Sequence, residues 1–433
     1  MPKMVCNGAL SLARINLLGM STRVKKRHQE AQKPLEAVVA ATNGGHKQPS
    51  TCLDTTSPVI KRLGAAMASI PLYQTALADA PPAFKELGIR YSHYDEDALN
   101  DSKLIFGSPK RYDIDVTQLW FETPVGGSWS VAMDVQNDSM SGASPWFVGA
   151  NIDGQPGVIM SGASIHDNRV EVGVTTRYFW ADGNAGFNVS HSKEDDYEAR
   201  SMSFDVAWNS DNNSRTWSAS VSSSNDTVQP VQENIPVFIE REALDTQSLY
   251  FGVSQVLSST AIARIGLGYT ISKGFLSDPY KLNDKRPDEH DRLALSAGYR
   301  KYFIEQRGAL QLDYRYYHDD WGTDSHTAEI AWHQDIKQHS VKPYIRVYSQ
   351  SRADFFNPIA DVSTTYFADD YRLSAYGATT VGIHGFYQLG DWRLEAQLER
   401  YKTDSGSGLG GNLAAPALVD FWRGTIGLTW RFD

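Results

Sequence analysis

Three residue types that could form a nucleophile relay stand together at Asp324-Ser325-His326. A hydroxyl nucleophile needs a base within hydrogen-bond reach, and the base needs an orienting carboxylate. Neighbouring residues of a strand point to opposite faces, so adjacency in an extended segment separates these three groups and argues against a relay. His318 and Asp320 are two residues apart, beside Asp319 and His326. Imidazole and carboxylate on one face could hold a divalent cation, although a hydrated strand end explains the same residues. Acidic groups recur at Asp95–Asp97, Glu194–Asp196, Asp319–Asp320 and Asp369–Asp370. Such carboxylates could bridge phosphates of lipopolysaccharide through Ca²⁺ or Mg²⁺, or could be solvated loop charge. No glycine-rich phosphate loop leads from a strand into a helix. The sequence carries no motif that names a catalytic group, a metal or a cofactor.

The elements that would position these groups are written in the hydropathy pattern. From residue 84 onward the chain alternates with period two and shows almost no helical period. In Arg169–Trp180, Val170, Val172, Val174, Tyr178 and Trp180 share one face, while Arg169, Glu171, Thr175 and Arg177 share the other. Template matching finds about sixteen such segments, near 84–94, 111–121, 128–138, 168–180, 185–194, 199–209, 215–222, 246–257, 260–272, 291–303, 308–318, 325–335, 340–351, 372–387, 391–402 and 417–432. Every second connection is a tight turn. Most of the others are long, namely 95–110, 139–167, 223–245, 273–290, 352–371 and 403–416.

That rhythm predicts an all-β fold, a closed antiparallel transmembrane β-barrel of the outer-membrane type. Lipid tolerates no unpaired backbone group, so a sheet that crosses it must close. Strands of about ten residues with apolar outer faces, short periplasmic turns and long outer loops follow from closure. Aromatics gather beside the short turns, at Trp120, Trp129, Trp180, Tyr302, Phe303, Trp332, Trp392 and Trp430, as an interfacial girdle would require. The chain ends on an alternating strand with penultimate Phe432, resembling the signal that barrel-assembly machinery reads.

Charge and composition agree with secretion. The 433 residues carry 41 basic and 51 acidic groups, net −10, which argues against nucleic acid as a partner. The first 80 residues are net +6 and the remaining 353 are net −16, and both cysteines, Cys6 and Cys52, lie in the first part. That excludes disulfides and thiolate metal sites downstream. Lys61-Arg62, an apolar run from Leu63 to Tyr73 and small residues at Ala76, Ala78 and Ala80 form the parts of a secretory signal. We therefore divide the chain into 1–58, a disordered or mis-started extension; 59–80, a cleaved signal peptide; and 81–433, the barrel.

Within the barrel, alternation assigns Asp113, Asp115, Asp134, Glu171 and Asp205 to the lumen side of the first eight strands, against Arg169 and Arg177. In the last eight it assigns Arg264, Arg292, Arg300, Arg315, Lys342, Arg346, Arg393, Arg423 and Arg431, opposed by Asp313, Glu329, Glu395 and Glu399. An acidic wall facing a basic wall would set a transverse field across a pore. The other reading is internal salt bridging. Segment 139–167, rich in glycine and carrying Trp146 and Phe147, is the expected constricting loop.

Several stretches are similar to a family of bacterial outer-membrane proteins, the domain of unknown function 3570. They are Met140–Pro145, Gly274–Lys281, Arg292–Ser296, Leu312–Gly322, Tyr348–Ser351 and Asp370–Ala375, of which Leu312–Gly322 is the most specific. The resemblance implies an outer-membrane location, no known activity and no catalytic residues to carry over, while the barrel and its acidic loops point to contact with outer-membrane lipid and lipopolysaccharide. The resemblance also implies a loose link to periplasmic flavin-attaching enzymes. The lumen-facing charges and the strand count make a channel for small polar or charged solutes the leading expectation. The alternative is a non-conducting structural barrel that scaffolds a periplasmic or surface redox assembly.

Overall fold

A computed structural model describes residues 80–161, 165–210, 212–230, 239–410 and 415–433, without the side chains of 165 and 166. The expected extension and signal peptide fall almost wholly outside the described residues.

Sixteen strands form one closed barrel, each antiparallel to its two neighbours. The first eight are β1 (Lys85–Glu96), β2 (Asp113–Val125), β3 (Trp129–Gly142), β4 (Ile165–Trp180), β5 (Gly183–Lys193), β6 (Tyr197–Asn209), β7 (Arg215–Val228) and β8 (Glu242–Ser258). The rest are β9 (Ala261–Gly274), β10 (Glu289–Phe303), β11 (Gly308–Asp319), β12 (Asp324–Ile336), β13 (His339–Gln350), β14 (Tyr376–Leu389), β15 (Trp392–Asp404) and β16 (Phe421–Phe432). All sixteen alternating segments are strands. β1 and β16 close the ring in a continuous register from Lys85 opposite Phe432 to Glu96 opposite Phe421. The tight turns use the left-handed backbone that closure in so few residues demands, at Gly126 (φ 62°) and Gly390 (φ 56°).

The outer wall is apolar. Leu87, Ile89, Phe121, Met133, Phe204, Leu249, Ile265, Ile330, Val381 and Ile426 are all exposed, Ile426 at 62%. A soluble protein does not present such a continuous apolar belt. Around a closed sheet it is the surface that meets lipid, so this is a barrel of the outer-membrane type. At the short-turn end Trp392 stacks on Trp430 at 5.5 Å and Trp430 on Phe432 at 4.3 Å. Trp120 and Tyr302 depart from the expected girdle. Trp120 donates from Nε1 to inward-facing Glu86 (3.1 Å), and Tyr302 packs with Ile262 and Ala309.

The main apolar core lies inside the barrel at the long-loop end. Inward residues Tyr94, Ile114, Val116, Met140, Tyr376, Tyr401 and Phe421 pack there with Val158, Met160, Phe356, Leu373 and Val419 from the loops. Segment 145–160 forms two short strands, Pro145–Ala150 and Pro156–Met160, in a small sheet with Leu104–Phe106.

Candidate functional site

Two arrangements inside the barrel have chemical content: the charged inner wall and the loops across the mouth.

On the wall, Asp134, Glu171, Asp205, Arg300, Arg315, Arg346, Arg393, Arg423 and Arg431 all fall on the inward side of the alternation. Asp113 does not, and neither does Asp115. Their neighbours Ile114 and Val116 are buried inside the barrel, and the two aspartates share the outer face with His93. The polarity of β2 inverts near the loops. There the inside is apolar core and the outside has left the hydrocarbon.

The inward charges do not stand as opposed walls. They pair with neighbours along the sheet: Arg177 with Asp205 (2.7 Å), Arg300 with Asp313 (2.6 Å), Arg346 with Glu329 (2.7 Å), Arg423 with Glu399 (2.8 Å), Arg431 with Glu86 (3.1 Å) and Arg90 with Glu395 (2.9 Å). Asp205 and Arg300, which the expectation counted on opposite walls, each have a partner within their own wall. Glycine makes this flat arrangement possible. A Cβ at Gly186 would strike the Arg177 and Asp205 head groups, and one at Gly382 would strike the Tyr344 ring, which reaches over it to donate to Glu399. Arg393 lies over Phe386 at 4.1 Å, and Arg315 over Tyr317 at 5.8 Å. Asp134, Glu171, Arg315, Arg346, Arg393, Arg423 and Arg431 all keep partial exposure.

Across the mouth, parts of segment 351–375 pack against 145–160 and 275–288. Ala353, Phe356, Ala368, Asp369, Asp370, Tyr371, Arg372 and Leu373 are all buried. Gln350 anchors the segment to β13, donating from Nε2 to the carbonyls of Arg372 (2.8 Å) and Ser374 (2.6 Å). Arg286 donates to Asp284 (2.6 Å) and Asp370 (2.7 Å), and Arg372 pairs with Asp370 and lies 3.7 Å from Asp278. The Val148 N–H and the Asn283 amide both donate to Asp369 Oδ2, at 2.8 and 3.3 Å. Burial pushes the Asp369 carboxyl up to about 6 and raises Asp278 as well. Burial also opposes the charge on Asp370. Arg372, Lys281 and Arg286 outweigh it and hold that carboxyl well below the usual range.

This corrects two expectations. Asp369–Asp370 is the centre of a buried ion network rather than solvated loop charge or a surface phosphate bridge. Of the expected constricting segment 139–167, residues 145–160 pack at the mouth, and parts of 351–375, which the expectation did not include, pack there with them. The signal for 351–375 was present in the sequence, since Phe355, Phe356, Phe367, Tyr371 and Leu373 are too apolar for a loop surrounded by water. The remaining candidates separate as alternation requires. Asp324 and His326 face out with His318 and Tyr314, whereas Ser325 faces in, so no relay forms. Asp319 faces in and binds His290 (2.9 Å), away from His318.

A closed sixteen-stranded barrel with an apolar outer belt and a polar inner wall defines a class, the outer-membrane β-barrels. Within it, residues 62–420 match the family model described as protein of unknown function DUF3570, and the chain belongs to that family. No curated protein matches the sequence. Among solved structures the chain is similar to CdiB from Acinetobacter baumannii, at 8% identity and TM-score 0.46 over 80% of this chain and 60% of that one. It is also similar to a bacterial polysaccharide outer membrane secretin, at 8% identity and TM-score 0.46 over 81% and 98%. OccD3 (OpdP) from Pseudomonas aeruginosa gives 11% identity and TM-score 0.34 over 81% and 91%.

Proposed function

We propose that the protein is an outer-membrane channel for small polar or charged solutes whose outer mouth is held shut by its own loops. The observation that carries this reading is the lateral pairing of the inner-wall charges. Ion pairs that run along the wall leave the cross-section to solvent, and sixteen strands enclose more width than side chains alone fill. Neutralised walls make the pore weakly selective. The partly exposed groups Asp134, Glu171, Arg315, Arg346, Arg393, Arg423 and Arg431 line it, while Asp205 and Arg300 serve chiefly to brace the wall. After export and signal cleavage, the terminal strand with Phe432 is the segment offered to the barrel-assembly machinery.

A non-conducting barrel that scaffolds a periplasmic redox protein is the second reading, and the packed mouth favours it. Planar-bilayer recording separates the two. The purified protein should show small or infrequent openings. A variant with residues 354–369 replaced by a glycine-serine linker, checked for heat-modifiable mobility, should conduct at least tenfold more. Silence from both proteins would set aside the channel and leave the scaffold.

A further inference from the structure

At the tight-turn end of β13 to β1 the inner wall holds more cations than carboxylates. Lys342, Arg393, Arg431 and Arg90 stand there on the inward side of β13, β15, β16 and β1, with Glu395 and Glu86 among them. Glu395 is already taken by Arg90 (2.9 Å) and His384 (2.8 Å). Arg431 gives Nε to Glu86 at 3.1 Å, and its two terminal nitrogens make no hydrogen bond to a described residue. Lys342 makes no ion pair among the described residues and stands opposite His384. The next carboxylates along the wall lie beyond the two edges of the group. Asp335 on β12 meets His333 (3.1 Å), and Glu122 on β2 stands opposite Glu86.

Arg393 and Arg431 are diagonal neighbours. Arg393 is opposite Thr429, and Arg431 is the next inward residue of β16. Diagonal positions on a sheet are about 7–8 Å apart, within reach of long side chains. Arg431 leads the charged groups that act on Arg393, and it does so as a like charge. The Phe386 ring, 4.1 Å from the Arg393 guanidinium, holds that head group against the wall. Both arginines keep partial exposure, and Thr429 lies buried beside them. Strands eight places apart in the ring face one another, so β7 and β8 stand across the lumen from β15 and β16. They present Ser218, Ser220, Ser222 and Tyr250, and their inward acids Asp226 and Glu242 lie at the loop end. Among the described residues, then, those two strands set no carboxylate facing the arginines at their own level. A concave wall of one sign concentrates counter-ions, and guanidinium forks match the paired oxygens of carboxylate and phosphate.

We propose that Arg393 and Arg431 clamp the carboxylate or phosphate of a small organic anion at the periplasmic end of the lumen. Thr429 lies beneath the bound group, and Lys342 adds to the field that draws it in. The clamp is at the end away from the packed loops, so binding there does not require the outer mouth to open.

The test is isothermal titration of the full barrel in detergent at low salt. Succinate and inorganic phosphate are the probes, and succinamide is the uncharged control. One or both anions should bind saturably and be displaced by raised salt, and succinamide should not bind. The tighter anion shows which group the solute carries. Arg393→Gln with Arg431→Gln should weaken binding at least tenfold, with heat-modifiable mobility kept. Arg307→Gln removes an exposed cation from a turn at the same end and should leave binding unchanged. Should the double variant misassemble, Arg431→Gln alone should weaken binding at least threefold. Unchanged binding in the clamp variants, an equal loss in Arg307→Gln, equal binding of succinamide, or no anion binding by the unmodified barrel would each overturn the clamp. Bilayer recording of the loop-replaced variant keeps this apart from the channel reading. Conduction without anion binding defeats the clamp alone, and anion binding by a silent barrel defeats the channel alone.

Discussion

Arg423 reaches Glu399 and Arg346 reaches Glu329, so neither offers a free charge to the lumen. The Glu399 side chain is fully buried and also accepts the Tyr344 hydroxyl. Removing one partner of such a pair strands the other, at a cost of roughly 3–5 kcal/mol. Arg346→Glu and Arg423→Glu would each do more, placing a second carboxylate against the first. Arg315 lies over the Tyr317 ring at 5.8 Å and stays partly exposed on the inner wall. We therefore expect Arg346→Glu and Arg423→Glu to lower the thermal midpoint sharply. Arg315→Glu should shift the reversal potential toward cations. Midpoints unchanged in both pair variants would show that the wall pairs carry little stability. At this scale the inward side of each strand was legible wherever the outer face was lipid. It was lost at Asp113 and Asp115, where the hydrocarbon ends and the interior turns apolar.

At the scale of elements the sequence was readable because lipid imposes one rule on every strand. Outward residues must be apolar along the full width of the hydrocarbon, and period-two alternation repeats that rule sixteen times. The loops obey no such rule. The buried parts of segment 351–375, Ala353, Phe356 and Ala368–Ala375, are covered by 145–160, 275–288 and the inner wall, which are distant in sequence, so only their apolar content announced them. The loop order fixes a topology that can be checked on cells. Long connections lie at one end, with the exposed Asp153 among them, and the tight turn at Asn212 lies at the other. Barrel termini sit in the periplasm, which puts Asp153 outside. Both cysteines of the sequence precede residue 80, so a secreted, processed chain offers no background thiol. An impermeant maleimide should label Asp153→Cys on intact cells and leave Asn212→Cys unlabelled until the envelope is opened. Labelling at Asn212→Cys on intact cells would invert the barrel.

For the molecule as a whole, the packed loops at the mouth hold buried carboxyls whose protonation bears on how firmly they pack. Asp369 and Asp278 have carboxyls raised by burial, Asp369 to about 6, whereas the same groups in unpacked loops titrate near the ordinary carboxylate value. The packed state therefore binds more protons than the unpacked state across that interval, and its stability falls as pH rises through it. Asp370 acts in the opposite sense. Its depressed carboxyl contributes stability that is present above the ordinary carboxylate range and lost only as pH falls well below it. The two effects occupy separate windows, so mild acid tightens the mouth before strong acid loosens it. Hydrogen exchange in segment 351–375 should be slower at pH 5 than at pH 7.5 after correction for the intrinsic rate, and bilayer openings should be rarer at pH 5. Asp369→Asn imitates the protonated carboxyl and keeps an acceptor for the Val148 N–H. It should remove most of that difference by protecting the segment at both pH values. Faster corrected exchange at pH 5 in the unmodified protein would mean that the buried carboxylates are charged and matched in the closed state, and that protons do not hold the mouth shut.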